Sequence, residues 1–151
     1  MLHHYGHRLR ILHWCTDQIM TNTLAQMDLT ASQGRVLGYL AHCAQLPCSR
    51  DIETEFQLSH PTVSGILSRM EKKGFLELRA DPRDRRCKRI CLLPKGEACT
   101  ARMEQVIREI EQRLVRDFSE AEQRQFACFL ERAILNMGGS PCDPNRKEES
   151  S

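Results

Sequence analysis

Between Ser59 and Leu93 the spacing of apolar residues changes from that of a helix to that of a strand, and this change constrains the fold more than any other feature. In SHPTVSGILSRMEKKG, residues Val63, Ile66, Leu67 and Met70 recur at i, i+3, i+4 and i+7, which is one face of a helix. Ser59 is a good N-cap, and Pro61 in the first turn forfeits no hydrogen bond. Gly74 stands where a left-handed C-terminal residue belongs, behind Lys72 and Lys73, which suit the negative end of the helix dipole. FLELRA and KRICLL then alternate apolar with polar around the charged run DPRDRR, predicting a β-hairpin with a cationic tip.

The rest of the chain supplies helices on either side. A first helix is expected from about His7 to Met27, marked by Leu9, Leu12, Ile19 and Leu24. Thr30 and Gln33 form a capping box that starts a second, whose stripe is Val36, Leu37, Leu40 and Cys43 and which Pro47 closes. A short third helix is expected from Ser49 as N-cap, with Asp51 in its first turn, Ile52 and Phe56 inward and Leu58 at its end. Beyond the hairpin a long helix runs from about Pro94 to near Asp117 on Met103, Val106, Ile107, Ile110 and Leu114. Ser119 and Glu122 box the last helix, with Phe126, Phe129, Leu130, Ala133, Ile134 and Met137 on one side. The expected fold is mainly α with a small β-hairpin wing (α+β): a winged helix-turn-helix with N- and C-terminal helices forming a dimerisation arm. Residues 1–29 would belong to the arm, 30–93 to the DNA-binding lobe, 94–137 to the dimerisation helices, and 138–151 to a disordered polar tail.

Charge distribution points the same way. The chain's net charge is only +2, yet residues 59–95 hold ten Lys/Arg against four acids, leaving the remainder net negative. A basic middle between acidic flanks is the footprint of a polyanion-binding surface. The free face of the fourth helix carries Pro61, Ser64, Gly65, Ser68, Arg69 and Lys72, small or basic groups suited to a major groove. Gly65, opposite the apolar stripe, would admit a phosphate or base edge close to the backbone. Arg83, Arg85, Arg86 and Lys88 arm the wing, whose arginines suit a narrow minor groove. No phosphate-binding glycine loop, G-x-S-x-G, H-E-x-x-H or paired carboxylates mark an enzyme, and no cofactor is implied. The longest apolar runs are too short for a membrane span, and no secretory signal is evident, so a cytoplasmic (bacterial) location is expected.

The segments LTASQGRVLGYL, DIETEFQLSHPTVSGILSRMEKKGFLELRADPRDRRCKRICLLPKGE and FSEAEQRQFACFLERAI resemble the MarR family of bacterial transcription regulators, a resemblance that covers about residues 9–137. It implies a homodimer in which the first, fifth and sixth helices interlock, acting as a repressor on a pseudo-palindromic site in double-stranded DNA. Ser59, His60, Pro61, Thr62, Ser64 and Arg69 match positions that commonly touch DNA. Asp84 and Arg86 match an acidic–arginine pair at the wing tip, in which the aspartate orients an arginine directed at the minor groove. The chain departs from the family at Leu93, which replaces a capping Thr, so a looser start to the long helix is expected.

MarR-like regulators often hold a small aromatic or phenolic effector, and His13, Trp14, Tyr39 and His42 are the candidate groups on the first two helices. Trp14 and Tyr39 serve equally well as dimer-core packing. A thiol-based redox sensor is an alternative: Cys15 lies on the first helix, and Cys87 sits among Arg85, Arg86, Lys88 and Arg89, a field expected to lower its thiol pKa. The eight cysteines, without C-x-x-C, otherwise read as reduced apolar side chains. His3 and His7, one turn apart, read as frayed terminal histidines rather than metal ligands, and no metal is expected. A winged helix serving only as a protein–protein module is a second alternative.

Overall fold

The computed structural model describes residues 3–84 and 86–140, and within them the order is α1 (Tyr5–Gln26), α2 (Ala31–Ala41), α3 (Ser49–Phe56), α4 (His60–Lys72), β1 (Leu76–Ala80), β2 (Lys88–Leu92), α5 (Pro94–Leu114) and α6 (Glu120–Asn136). Six helices and one antiparallel hairpin make the winged helix-turn-helix expected from the sequence. The chain divides into two compact units, residues 1–110 and 111–151, with the boundary inside α5.

In the first unit the apolar stripe of α4 is wholly inward: Val63, Ile66, Leu67 and Met70 are all buried. They join Val36, Leu37 and Leu40 of α2, Ile52 of α3, Phe75 and Leu76 at the start of the hairpin, and Ile90 of β2 in one core. The hairpin pairs Leu76 with Leu92, Leu78 with Ile90 and Ala80 with Lys88.

Helix ends follow the local chemistry of their sequences. Thr30 and Gln33 close the expected capping box, with Thr30 Oγ1 accepting from the Gln33 amide at 3.3 Å and Gln33 Oε1 accepting from the Thr30 amide at 3.1 Å. Gly74 is left-handed (φ 78°), the Phe75 amide donates to the Met70 carbonyl at 3.0 Å, and the Gly74 amide donates to the Glu71 carbonyl at 2.9 Å. That double closure is the Schellman arrangement, and it turns the chain straight from α4 into β1.

Several helix ends differ from expectation. α2 ends at Ala41 rather than at Pro47, which leaves Cys43 outside it, half-buried. Pro47 instead lends its carbonyl to the Ile90 amide at 2.9 Å, so the segment before α3 is held against β2. α3 is capped by Cys48 rather than Ser49, because the Asp51 carboxylate reaches back to the Cys48 amide at 2.7 Å. α5 ends at Leu114, short of Asp117. Its start is not loose: the Leu93 amide donates to the Phe75 carbonyl at 3.0 Å, the Lys95 ammonium donates to the Lys73 carbonyl at 2.8 Å and lies over the Phe75 ring, and Gly96 packs beneath. Tertiary hydrogen bonds here take over the task of the missing threonine cap.

In the second unit Ser119 and Glu122 form the expected capping box, and Phe118 meets Phe126 edge to face at 5.6 Å. No side chain of α6 is buried; Phe129, Ile134, Leu135 and Met137 are exposed. α1 likewise exposes Tyr5, Leu9, Ile11 and Trp14. Residues 141–151, most of the expected disordered tail, lie outside the described residues.

Gly96 marks where α5 meets the end of α4. A Cβ there would fall inside van der Waals contact of the Phe75 carbonyl oxygen, a backbone atom that cannot rotate away. Gly96→Ala is therefore expected to cost about 2 kcal/mol by overpacking, read as a lower urea midpoint with an unchanged m-value.

Candidate nucleic-acid interface

α3 and α4 are joined by Gln57, Leu58 and Ser59, with Gln57 left-handed (φ 51°) and the Leu58 amide donating to the Glu53 carbonyl at 3.0 Å. Leu58 packs against the core, which fixes the direction in which α4 departs. Because the stripe of α4 is buried, its other side is free: Ser59, His60, Pro61, Thr62, Ser64, Ser68, Arg69 and Lys72 are exposed, and Gly65 is half-buried.

Several of these groups are already positioned. The Ser59 hydroxyl pairs with the Thr62 hydroxyl at 2.8 Å and makes no backbone cap. His60 Nδ1 lies 2.6 Å from the Glu53 carboxylate of α3, leaving Nε2 as the outward nitrogen. The Arg69 guanidinium lies over Gly65, whose absent side chain leaves room for it, and an added Cβ would meet it only at ordinary contact, 3.7 Å. Nothing within the described residues therefore requires glycine at 65. Lys73, by contrast, is turned back to Asp28, so Lys72 is the outward lysine.

The wing loop is built on two aspartates. Asp81 Oδ1 accepts from the Arg83 backbone amide at 2.8 Å, and Asp84 Oδ1 accepts from the Arg86 backbone amide at 2.9 Å. Each is an Asx turn, in which a short carboxylate folds the chain two residues on. Arg83, Asp84, Arg86 and Lys88 are exposed around this frame, and Arg85 lies outside the described residues. Asp84 thus holds the backbone of Arg86 rather than its guanidinium.

Asp81 does more than fold its own turn. Its amide donates to the Cys87 carbonyl at 3.0 Å, and its Oδ2 accepts from Arg89 Nε at 2.7 Å. Arg89 also donates to the Leu46 carbonyl at 2.9 Å, tying the base of the wing to the segment before α3. The Arg83 amide, and after it the Arg89 guanidinium, hold the Asp81 carboxyl below the usual carboxylate range although it is only 6% exposed. Asp81 and Arg89 are the functional residues that sequence reasoning missed. The D-x-R spacing in DPRDRR signals the Asx turns, but nothing in it names Arg89 as the ion-pair partner.

Cys87 departs from expectation. Burial, then a hydrogen bond with the Cys48 thiol, raise its thiol pKa, and the Arg89 charge does not reverse this. The Arg86 and Lys88 side chains are exposed and Arg89 is paired with Asp81, and the lowering effect of Arg89 is outweighed by burial and Cys48. Cys15 is exposed on α1.

The candidate effector groups are distributed over α1, α2 and its C-cap. His13 and Trp14 are exposed on α1, and the His42 ring pairs with the Gly38 carbonyl at 2.8 Å. Tyr39 packs edge to face on Phe56 at 5.8 Å, and burial, with a Cys43 hydrogen bond, pushes its phenol up to about 12. A cleft of about 550 Å³ does open between the end of α2, the segment leading to α3, the hairpin and the head of α5, but none of these four residues lines it. No group of three or more His, Cys, Asp or Glu placed to hold a metal occurs among the described residues, and none of their helices is long and apolar enough to cross a membrane.

Known proteins place this geometry in context. The sequence profile of the MarR family matches residues 27–86, from the end of α1 into the wing. The HTH-type transcriptional repressor IacR of Pseudomonas putida is 27% identical over 126 residues, which cover 83% of this chain and 75% of that protein. The MepR–DNA complex of S. aureus superposes with a TM-score of 0.78 at 30% identity, covering 88% of this chain and 99% of that one. A second structure of MepR, a transcription regulator of the Staphylococcus aureus multidrug efflux pump MepA, gives 0.79 at 30% identity, covering 88% and 98%. A MarR family regulator from Clostridium acetobutylicum gives 0.75 at 26% identity over 88% and 98%.

The Asp81 ion pair has a pH signature. A carboxyl depressed in the folded protein contributes stability that is complete above its unfolded pKa and is lost as pH falls through its folded value. Urea midpoints should therefore fall on acidification through the carboxylate range, and Asp81→Asn should lower the neutral-pH midpoint while flattening that dependence. Parallel pH profiles for the two proteins would count against Asp81 as the anchor.

Proposed function

Because this chain belongs to the MarR family of winged-helix transcription regulators, whose members are not enzymes, we propose that it is a homodimeric, sequence-specific repressor of double-stranded DNA, released by a small-molecule effector. The observation that carries the reading is the two-sidedness of α4: a fully buried apolar stripe on one side, and Ser64, Ser68, Arg69 and Lys72 free on the other. A helix about 10–12 Å across matches the ~12 Å major groove, and short polar side chains let its backbone come close to base edges.

In this reading residues 30–93 form the DNA-binding lobe. Ser59, His60, Thr62 and Ser64 meet phosphates and base edges near the start of α4, and Arg69, whose guanidinium lies over Gly65, and Lys72 meet them further along. Arg83, Arg86 and Lys88 reach the neighbouring minor groove and phosphates from the wing, held in place by the turns at Asp81 and Asp84. Arg85 is assigned to the same surface from its place in the sequence. The dimer would form through α1, α5 and α6, which expose Leu9, Trp14, Ile107, Phe129 and Leu135 as apolar side chains awaiting cover. Two-fold symmetry would then match a pseudo-palindromic operator, with one α4 in each half-site.

An effector, of small aromatic or phenolic type, would act by favouring a half-site spacing that the operator does not match. The dispersal of His13, Trp14, Tyr39 and His42 supports packing roles for Trp14 and Tyr39 over a shared pocket within one copy. Such a protein would act in the bacterial cytoplasm, where the DNA is.

The reading is tested by binding to the promoter region upstream of its own gene at several salt concentrations. Affinity should fall steeply with salt, as counterions released from several phosphates require. Arg86→Ala should weaken binding about tenfold or more and reduce the salt slope, with the dimer unchanged in sedimentation. Arg69→Ala should weaken binding similarly and blunt discrimination between operator variants. A protein that sediments as a monomer, or binds DNA without salt dependence, would sink the proposal.

A further inference from the structure

The turn between α3 and α4 brings Glu53 of α3 to His60, the first residue of α4. The Glu53 carboxylate lies 2.6 Å from His60 Nδ1, and the Glu53 carbonyl accepts the Leu58 amide at 3.0 Å, so one turn fixes both residues. Glu53 is half-buried and follows the fully buried Ile52, whereas the His60 side chain is 74% exposed. Pro61 comes next, and its ring locks the backbone in the first turn of the helix. The imidazole is thus held at one nitrogen, and Nε2 has no partner among the described residues.

An ionised carboxylate only accepts hydrogen bonds, so the nitrogen facing Glu53 must be the one that carries a proton. In the neutral ring Nε2 is then an acceptor, its role set by the bond that Nδ1 makes. We infer, resting on the reading of α4 as the helix that enters the major groove, that His60 determines base specificity by accepting a hydrogen bond from the exocyclic amino group of adenine or cytosine. Glu53 is the positioning residue, holding the ring in the tautomer that can accept.

Residues at the start of a groove-entering helix are the ones that reach base edges. There adenine and cytosine present amino donors, while guanine and thymine present carbonyl acceptors. Two acceptors repel, so the strand that His60 meets should carry an amino base in preference to a keto base. Ser59 and Thr62 beside it bond to each other with either hydroxyl as donor, and neither imposes a fixed role. Arg69 and Lys72, further along, can only donate. The exposed face of α4 therefore runs from an acceptor at its start to donors beyond, which gives the sequence it reads a direction. A neutral ring with its acceptor outward has nothing to offer a phosphate, so His60 contributes to base choice and not to the salt dependence of binding.

The test selects DNA from a randomised double-stranded oligonucleotide library with the folded full-length protein at pH 8.5, well above the ordinary histidine pKa. At one position of each half-site, wild type should favour adenine or cytosine over guanine or thymine by about fivefold, as a single hydrogen bond gives. His60→Ala should lose that preference alone, keeping the rest of the motif and the salt slope. A second measurement needs no DNA: histidine nitrogen NMR of the free protein should find the His60 proton on Nδ1. Glu53→Met should yield a mixture of both tautomers and lose the base preference although the ring is still present. A keto preference at that position, a motif unchanged by His60→Ala, or a wild-type proton on Nε2 would each overturn the inference and leave the regulator reading standing. Recovery of no motif at all would bring down the regulator reading, and this inference with it.

Discussion

Phe75 is fully buried, and both of its backbone polar groups are taken up by neighbouring elements. Its amide ends α4 on the Met70 carbonyl, and its carbonyl starts α5 on the Leu93 amide. Its ring lies in the shared core under the Lys95 ammonium. Burying such a side chain is worth about 2–3 kcal/mol, and here the same residue also sets the angle at which helix, hairpin and long helix diverge. The direction of the exposed face of α4 follows from that junction, because a helix whose stripe is pinned at Met70 and whose end is closed at Gly74 has no freedom to roll.

The wing shows how a strongly cationic loop holds a defined shape. Arginines repel one another and would otherwise spread. Two carboxylates counter this by folding the backbone through Asx turns, leaving the side chains of Arg83 and Arg86 outside. Asp81, itself buried, adds an ion pair with the half-exposed Arg89, which reaches on to the Leu46 carbonyl. The loop is thus anchored at its base and free at its tip, an arrangement suited to presenting charge without wandering.

Elements specified by near neighbours in the chain are legible in the amino-acid sequence. The stripe of α4, the alternation of the two strands, the boxes at Thr30–Gln33 and Ser119–Glu122 and the left-handed Gly74 all depend on residues within a turn or two of each other. The end of α2 is not legible in this way, because the apolar pattern runs on to Cys43 and the next breaker is Pro47, while the chain leaves the helix earlier to pair with β2. The cap of α3 is displaced by one residue from the obvious serine: Cys48, not Ser49, occupies the position that Asp51 can reach. At Cys87, counting charges along the chain ignores where those charges point and how far the thiol is withdrawn from water.

The alternation of faces between Ser59 and Leu93 by itself determined that a helix with one buried side is followed by a hairpin with a basic tip, because side-chain periodicity is a property of the backbone. It also determined the small and cationic character of the face left over. Which cations stay free was decided only by tertiary structure: Arg89 is neutralised by Asp81 and Lys73 is drawn back to Asp28, while Arg69, Arg83 and Arg86 remain outward. The meeting of Cys48 with Arg89 belongs to the same class. Such pairings join residues far apart in the chain, and their partners are chosen by packing of the core between them rather than by any spacing that the sequence displays.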